Sequence, residues 1–360
     1  MIHVSSLKIK TWVVLLMGVS GIHSAPLPAM AQAPPAAAKT GEVEASLEAI
    51  EATFQAEISA AEFKRLESIA TLAGKKQGEE SNELWRLYFD TVVDEELFSQ
   101  AEKTAEKVLL IKDLPLDIRA LAEATHIIAE ARRGALEESL ASVQKLFTAT
   151  AQPKDEDLIV PVHVQLGLVE VYLRTIVDAG RYDLARKAIE TMTATSKSED
   201  LIDYLAGEKV SLERIGKPVA SLKGMDVDGR PFDMAALKGK PVLIVFWATW
   251  DEVSEDQLDD IADMTEAHKS KGLEVVTINV DRLRENAEPP AELAVDIRRF
   301  LVERNLLWKS LISDTGEKDY AKTLGVRYLP SNMVVDKEGI VRHVDRSAQG
   351  LAAAVAEVCK

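Results

Sequence analysis

Two polar residues that could do chemistry, Asp251 and Ser254, come shortly after the most apolar segment of the chain. Val242–Phe246 is a continuous apolar run, which is typical of a strand buried on both faces of a sheet. An aspartate after such a strand is a favourable first residue of a helix, because its carboxylate caps free amide groups. Asp251 with Ser254 could also bind a cation or a peptide, but we expect a helix cap at the solvent edge.

Further acidic residues follow in the first turns of the same predicted helix: Glu252, Glu255, Asp256, Asp259 and Asp260. Negative side chains near a helix N-terminus are stabilised by the helix dipole. Calcium would need oxygen ligands that converge from several directions, whereas residues along one helix fan around it. We therefore predict a solvated acidic face and no metal site.

Cys359 is the only cysteine of the chain. Disulfide exchange needs one thiol to attack and a second to resolve the mixed disulfide, so this chain cannot cycle an intramolecular disulfide. Cys359 could pair between two chains, but we interpret it as an unpaired free thiol. The histidines have no ligand spacing, and no glycine-rich phosphate loop or supported Ser/His/Asp arrangement occurs. We expect no cofactor.

The N-terminus has the pattern of an export signal. Lys8 and Lys10 precede an apolar run of 11 residues, Trp12–Ile22, and Ala29-Met30-Ala31 offers a small-x-small cleavage site. The run is short for a membrane span, which needs roughly 20 residues, so we predict a signal peptide over residues 1–31. An uncleaved N-terminal anchor is the alternative. We expect export to the periplasm or cell envelope, and secretion is the alternative destination.

The net charge of −16 excludes nucleic acid as a partner attracted by bulk electrostatics. No later segment is long and apolar enough to cross a membrane. Residues 32–40 are rich in proline and alanine, which indicates a flexible spacer.

Residues 41–215 are predicted to be all helical, because Ala, Leu, Glu and Lys dominate there. Three segments share a large residue, a small one three positions later and a third four beyond that. They are Phe98/Ala101/Ala105, Leu136/Ser139/Val143 and Tyr182/Ala185/Ile189. This resembles the second helix of tetratricopeptide hairpins, although the spacing departs from the period of about 34 residues. A degenerate hairpin array and an irregular bundle both remain open, and either can present a groove to a partner.

Residues 216–360 alternate strand and helix patterns, so we predict an α/β domain that follows the helical one. Its first elements are a hairpin with its turn at Asp228-Gly229, the buried strand Val242–Phe246 and the helix from Asp251. The later elements are a strand at Leu273–Val280, a helix at Ala291–Arg304, a strand from Leu311, a short helix at Glu317–Leu324, strands at Asn332–Val335 and Ile340–Val344, and a helix at Gln349–Val358.

Three motifs of this domain are similar to those of exported bacterial thioredoxin-like proteins of the redoxin, or thiol–disulfide interchange, type. They are Lys-Gly-Lys-Pro-Val-Leu-Ile-Val-Phe-Trp-Ala-Thr-Trp250, Gly325-Val-Arg followed by Pro330, and the hairpin Val334–Val341. The resemblance covers about 140 residues and implies a thioredoxin-like fold with a mixed central sheet flanked by helices. It also implies that Asp251 and Ser254 stand where the family has its two cysteines.

The same resemblance implies that Pro330 is cis and that the backbone before it pairs with an extended substrate segment. Val245 takes a position where many members of the family keep a polar residue that assists proton transfer. Trp247 fits either the core or the border of the site, whereas Trp250 and Tyr328 are expected to be exposed. The predicted binding surface is Trp250, Asp251, Ser254, Tyr328, Leu329 and Pro330.

Three functions follow from these patterns. The first is a redox-inactive thioredoxin-like protein that binds a protein or peptide partner in the cell envelope, through the helical domain and the cis-proline surface. The second is an enzyme with thiol–disulfide oxidoreductase or antioxidant activity that uses Cys359 or a partner's thiols. The third is a structural component of the envelope. We favour the first and expect no catalytic residue.

Overall fold

The computed structural model describes residues 47–150, 162–284 and 287–360. The predicted signal peptide, residues 1–31, and the predicted spacer, residues 32–40, lie outside this range. Within it, no helix combines the length and the apolar composition that a membrane crossing requires.

Eight helices make up the described part of the N-terminal region, residues 47–150 and 162–212. Their bounds are α1 Leu47–Ala73, α2 Glu79–Asp94, α3 Phe98–Leu109, α4 Leu116–Arg132, α5 Leu136–Thr150, α6 Val162–Asp178, α7 Tyr182–Thr195 and α8 Glu199–Leu212. Chain neighbours pack together, as α3 does with α4, and so do alternate helices: α2 with α4, α4 with α6, α6 with α8 and α5 with α7.

The small residues of the repeated pattern lie where these helices meet. Ala101, Ala105 and Ala185 are completely buried, and so is Phe98. Small side chains at such positions let neighbouring helices approach closely. The predicted all-helical region is therefore confirmed.

The C-terminal elements begin with two short strands, β1 Lys223–Met225 and β2 Pro231–Asp233. They continue with β3 Val242–Trp247, α9 Glu252–His268, β4 Glu274–Asn279, α10 Pro290–Glu303, β5 Lys309–Ile312, α11 Tyr320–Thr323, β6 Ser331–Val335, β7 Val341–Val344 and α12 Ala348–Val358. The predicted elements are all present, and most boundaries agree within two residues. The short helix α11 is four residues long because a separate 3-10 turn, Gly316–Lys318, precedes it.

A five-stranded mixed sheet in the order β5-β4-β3-β6-β7 forms the centre of this region. β4 is parallel to β3 and β5, whereas β6 is antiparallel to β3 and β7. Every residue of β3 is buried, as its continuous apolar sequence predicts. The β1–β2 hairpin turns at Asp228-Gly229, where Asp226 Oδ1 accepts from the amides of Asp228 and Arg230. The fold is thioredoxin-like, as predicted.

The two faces of β3 belong to different hydrophobic clusters. Leu243, Val245 and Trp247 pack in a cluster that also contains residues of α9, α10 and α12. Ile244 and Phe246 point the other way, into a cluster that continues without a break into the N-terminal helices. The helical region and the sheet therefore share one core.

The segment between α8 and β1 is fastened to the sheet. The amide of Gly216 donates to the carbonyl of Val341, and the amide of Val341 donates to the carbonyl of Lys217. The amide of Val219 donates to the carbonyl of Gly339. At the other side of the sheet, the amide of Val227 donates to the carbonyl of Ser310 in β5.

Candidate functional site

Asp251 and Ser254 lie at the start of α9, directly after the loop that leaves β3. Asp251 occupies the N-cap position, and Ser254 lies in the first turn. Asp251 is 8% exposed and Ser254 is 1% exposed. The Ser254 hydroxyl donates to the Asp251 carboxylate, and within the described residues this carboxylate accepts no capping hydrogen bond from the helix amides.

The expectation of a cap at the solvent edge is therefore wrong in two respects. The carboxylate is buried, and its partner is a hydroxyl instead of the backbone. A serine three residues after the aspartate competes for the carboxylate that would otherwise cap the helix.

The loop before α9 is held by a residue that sequence reasoning missed. Asp281 follows β4, the parallel neighbour of β3, so it lies at the same end of the sheet. Its carboxylate accepts from the Thr249 amide at 2.9 Å and from the Thr249 hydroxyl at 2.8 Å. The position of Asp281 directly after a strand was the sequence signal that could have identified it, because polar residues at the carboxyl ends of adjacent parallel strands come together.

The two tryptophans of the loop region are both packed. Trp247 is completely buried, and its ring stacks on Phe300 with the centroids 4.9 Å apart. Trp250 is half-buried, with the guanidinium of Arg284 5.3 Å from its ring centroid. Trp247 is therefore core, and the expected exposure of Trp250 is wrong because Arg284 and the shared core cover it.

Pro330 is cis, as the resemblance implies: the Leu329–Pro330 peptide bond has the cis conformation. Ser331, the first residue of β6, pairs with Phe246 near the end of β3. This register brings the cis-proline loop to the end of the sheet where α9 begins. Leu329 is buried and Pro330 is half-buried.

Helix α8 of the N-terminal region packs against the cis-proline loop. The Tyr328 ring lies 5.3 Å from the Tyr204 ring, and the Tyr328 hydroxyl donates to the carbonyl of Asp203 at 3.3 Å. Arg214, just after α8, donates to the carbonyl of Gly325. Tyr328 is thus half-buried against α8, and its expected exposure is wrong because the helical region covers it.

A cavity of about 380 Å³ separates α8 from the start of α9. Asp251 and Val253 line one side, and Tyr328, Leu329 and Pro330 line another. Tyr204, Glu208 and Arg214 contribute from the helical region, and the segment 345–348 closes one end. The cavity brings together four of the six predicted binding-surface residues, Asp251, Tyr328, Leu329 and Pro330, whereas Trp250 and Ser254 are not part of its lining.

Most acidic groups of the cavity are paired or hold a proton. Burial, reinforced by the nearby carboxylates of Asp345 and Glu170, raises the pKa of Glu208 to about 8. Asp345 accepts from the hydroxyls of Ser211 and Ser331, the latter at 2.6 Å. Asp345 has a positive φ of 48°. Its left-handed backbone conformation presents the carboxylate to both serines.

Two arginines of the cavity are incompletely satisfied. Nη1 of Arg214 is buried without a hydrogen-bond partner, and burial lowers the pKa of this guanidinium. Nε and Nη1 of Arg346 are likewise buried without a partner among the described residues. Sequence reasoning did not identify either arginine.

Cys359 lies away from this cavity. It is 3% exposed and packs with residues of α9, α10 and α12 on the far face of the sheet. Within this single chain the cysteine is free, and burial raises the pKa of its thiol. A higher thiol pKa lowers the thiolate fraction and hence the reactivity of the sulfur.

One group with potential metal ligands lies in the helical region, far from the sequence-predicted site. Ligand atoms of Glu102, Glu106 and His126 lie within 4.8 Å of one another. Glu102 already pairs with Arg133 at 3.1 Å, and His126 lies 3.5 Å from Glu130. These pairings account for the cluster without an ion.

Comparison with known proteins finds similarity in the C-terminal region. Residues 215–344 match the model of the AhpC/TSA family, and the match begins just after α8. This part of the chain is thus similar to redoxins, and its fold is thioredoxin-like.

Its curated relatives include thiol–disulfide oxidoreductases named ResA. That of Bacillus thuringiensis subsp. konkukian is 28% identical over 127 residues, which are 35% of this chain and 66% of the relative. That of Bacillus subtilis is 26% identical over 116 residues, 32% of this chain and 58% of the relative. The chain thus spans just under two thirds, or less, of the length of these proteins.

Solved structures match a similar share of this chain but are covered over nearly their whole length. The thioredoxin domain of a thiol–disulfide oxidoreductase from Bacteroides vulgatus has a TM-score of 0.35 and 21% identity, covering 41% of this chain and 98% of that domain. A thiol:disulfide interchange protein from Chlorobium tepidum has a TM-score of 0.33 and 22% identity, covering 40% of this chain and 96% of that protein.

Proposed function

We propose that this chain is an exported, redox-inactive thioredoxin-like protein that binds a protein or peptide partner in the cell envelope. The partner would enter the cavity between α8 and the cis-proline loop. The observation that carries this proposal is the pairing of a retained cis-Pro330 loop with a cavity wall supplied by the helical region. A surface of this kind recognises an extended segment through backbone and side-chain contacts without any sulfur.

The organisation of the chain supports a binding role. A signal peptide over residues 1–31 would direct export, and residues 32–40 would act as a spacer. The contacts between alternate helices are those expected of stacked helical hairpins, which supports a tetratricopeptide-like interaction domain over residues 41–215. The redoxin domain over residues 216–360 would then supply the second wall of the site.

The chemistry of the site argues against the oxidoreductase alternative, which the names of the relatives suggest. Asp251 and Ser254 contain no sulfur, and their hydrogen bond satisfies both side chains. Cys359 is buried on the far face of the sheet with a raised pKa, so it meets neither the exposure nor the thiolate requirement of a redox-active cysteine. Purified chain should reduce no insulin and consume no peroxide, and Cys359→Ser should behave identically.

Site-specific photo-crosslinking tests the binding role. A photoreactive amino acid would replace Val253, which lines the cavity and is 45% exposed, or Leu307, which is 81% exposed and outside the cavity lining. Expressed in the native envelope, the Val253 variant should form discrete adducts that the matched Leu307 variant does not form. Equal adduct patterns, or none at Val253, would contradict binding at the cavity.

A further inference from the structure

Arg346 is a buried cation with two guanidinium nitrogens that have no acceptor among the described residues. It follows β7, is 6% exposed and lines the cavity. Nε and Nη1 have no hydrogen-bond partner within the described residues, and the guanidinium carbon lies 5.9 Å from the centroid of the Tyr182 ring. Taking a guanidinium out of water is costly unless it is paired, so this arrangement is suited to an anion that arrives with a ligand.

Polar groups on the elements around Arg346 are already engaged with other partners. Asp345 accepts from Ser211 and Ser331, and Asp178 Oδ1 accepts from the Ser347 amide at 3.0 Å. Nδ1 of His343 lies 2.6 Å from the Tyr182 hydroxyl.

Two further carboxylates of the cavity are also engaged or neutral. Glu96 is shared by Arg132 and Arg174, each at 2.5 Å. The pKa of Glu208, about 8, leaves this group mostly protonated at neutral pH. Asp256 and Asp260 also line the cavity, so the feature suited to an anion is the set of unmet donors on the buried arginines and not the charge of the cavity as a whole.

Arg214 adds a second unmet donor to the same cavity. Its Nη2 donates to the Gly325 carbonyl, which fixes the guanidinium at the end of α8, while its Nη1 is left without a partner. Arginine presents a planar fork of donors that matches a carboxylate.

We propose that Arg346, assisted by Arg214, binds a carboxylate of the partner segment in the cavity. This proposal rests on the proposed function in one respect, because it takes a peptide as the molecule that carries the carboxylate. The carboxylate belongs either to the C-terminus of the partner or to an acidic side chain, and both sources offer the same planar pair of acceptors to the guanidinium.

Acetate is the first probe, because it tests the anion site without a peptide. The Nε–Hε resonances of arginines in the nitrogen-15-labelled full chain would be followed during an acetate titration in a buffer free of other carboxylates and phosphate. The Arg346 resonance should shift saturably, while that of Arg327, an exposed residue of the same cavity lining, should not. Absence of a saturable shift at Arg346 would overturn the proposal.

Substitutions sharpen the result. Arg346→Met should weaken acetate binding at least tenfold, and the matched change Arg327→Met should leave it within twofold. Arg346→Lys, which keeps the charge but not the fork, should give an intermediate affinity. Unchanged acetate binding in folded Arg346→Met would overturn the assignment. If that variant does not fold, the parent titration above still decides the question.

Peptides then identify the source of the carboxylate. A free C-terminus that binds at least tenfold more tightly than its amide supports a C-terminal ligand. A preference for an amidated peptide with an internal glutamate over its glutamine counterpart supports a side chain. If neither pair of peptides showed a difference in affinity, the proposal that a peptide carries the carboxylate would be overturned. Crosslinks at Val253 without an acetate response would keep the proposed function and reject this inference.

Discussion

Two segments that meet at the cavity, the start of α9 and the loop before β6, differ in what they retain. The start of α9 follows the central strand, but Asp251 and Ser254, the two positions to which the resemblance assigns cysteines, contain no sulfur and bond to each other. The loop before β6 keeps its cis-proline, and α8 packs directly onto it. Backbone geometry set by strand register and packing thus persists independently of the side chains that would react.

The strongest test of this comparison introduces cysteines at positions 251 and 254. Asp251→Cys combined with Ser254→Cys should give a chain that forms an internal disulfide with oxidised glutathione and then reduces insulin measurably, whereas the parent should do neither. The helix N-terminus lowers the pKa of a thiol there. Thiol titration and insulin turbidity measure the two effects. A folded double variant that forms no disulfide would show that the backbone at α9 has also diverged.

The contact between α8 and the cis-proline loop depends on the lack of a side chain at Gly207. A Cβ at this position would lie 2.6 Å from Cε2 of Tyr328. Gly207→Val should therefore lower the free energy of unfolding by about 2 kcal/mol, as measured by urea denaturation. Ala206→Val, an exposed neighbour on the same helix, should cost less than about 1 kcal/mol. Equal losses would mean that α8 does not press on Tyr328.

Glu208 makes the cis-proline side of the cavity sensitive to pH. Its pKa is raised from an ordinary value of 4.5 to about 8, so the folded state holds the proton more tightly than the unfolded chain. Its stabilising contribution is complete below pH 4.5 and is lost as the pH rises through 8.

As the pH rises from 5 to 9, the unfolding free energy of Glu208→Gln should consequently increase relative to that of the parent by about 1 kcal/mol or more. Urea denaturation at both pH values measures this. Glu213→Gln, an exposed change just after the same helix, is the control and should show no such gain. If the unfolding free energies of the parent and of Glu208→Gln changed in parallel with pH, the raised pKa of Glu208 would be contradicted.

The smallest expected effect concerns the Tyr328 hydroxyl. Tyr328→Phe removes only the hydrogen bond to the Asp203 carbonyl, which is 3.3 Å long and partly exposed. We expect a loss of about 0.5 kcal/mol in unfolding free energy, because the ring contact with Tyr204 remains. Tyr328→Ala, which also removes the ring, should cost clearly more. If both variants lose equally, the ring packing contributes nothing.

Local sequence patterns were sufficient for much of the fold. The continuous apolar run of β3, the hairpin at Asp228-Gly229 and the proline loop are determined by nearby residues, so their predictions are confirmed. The helical spacing of the N-terminal region likewise follows from local composition.

The surroundings of the site could not be predicted in the same way. The burial of Asp251, Trp250 and Tyr328 depends on where α8 and Arg284 pack, and these contacts join residues far apart in the chain. Arg346 carries no local signal at all, since an arginine after a strand is ordinarily solvated.

The hydrogen bonds that attach residues 216–219 to the sheet have a consequence for association between copies of the chain. Exposed edge strands are templates on which another chain can add a strand. Here that segment occupies part of the outer side of β7, and the residue before the β1–β2 turn, Val227, bonds to β5 at the opposite margin. Both edges of the sheet are thus partly covered by the chain itself, which discourages a second copy from extending the sheet.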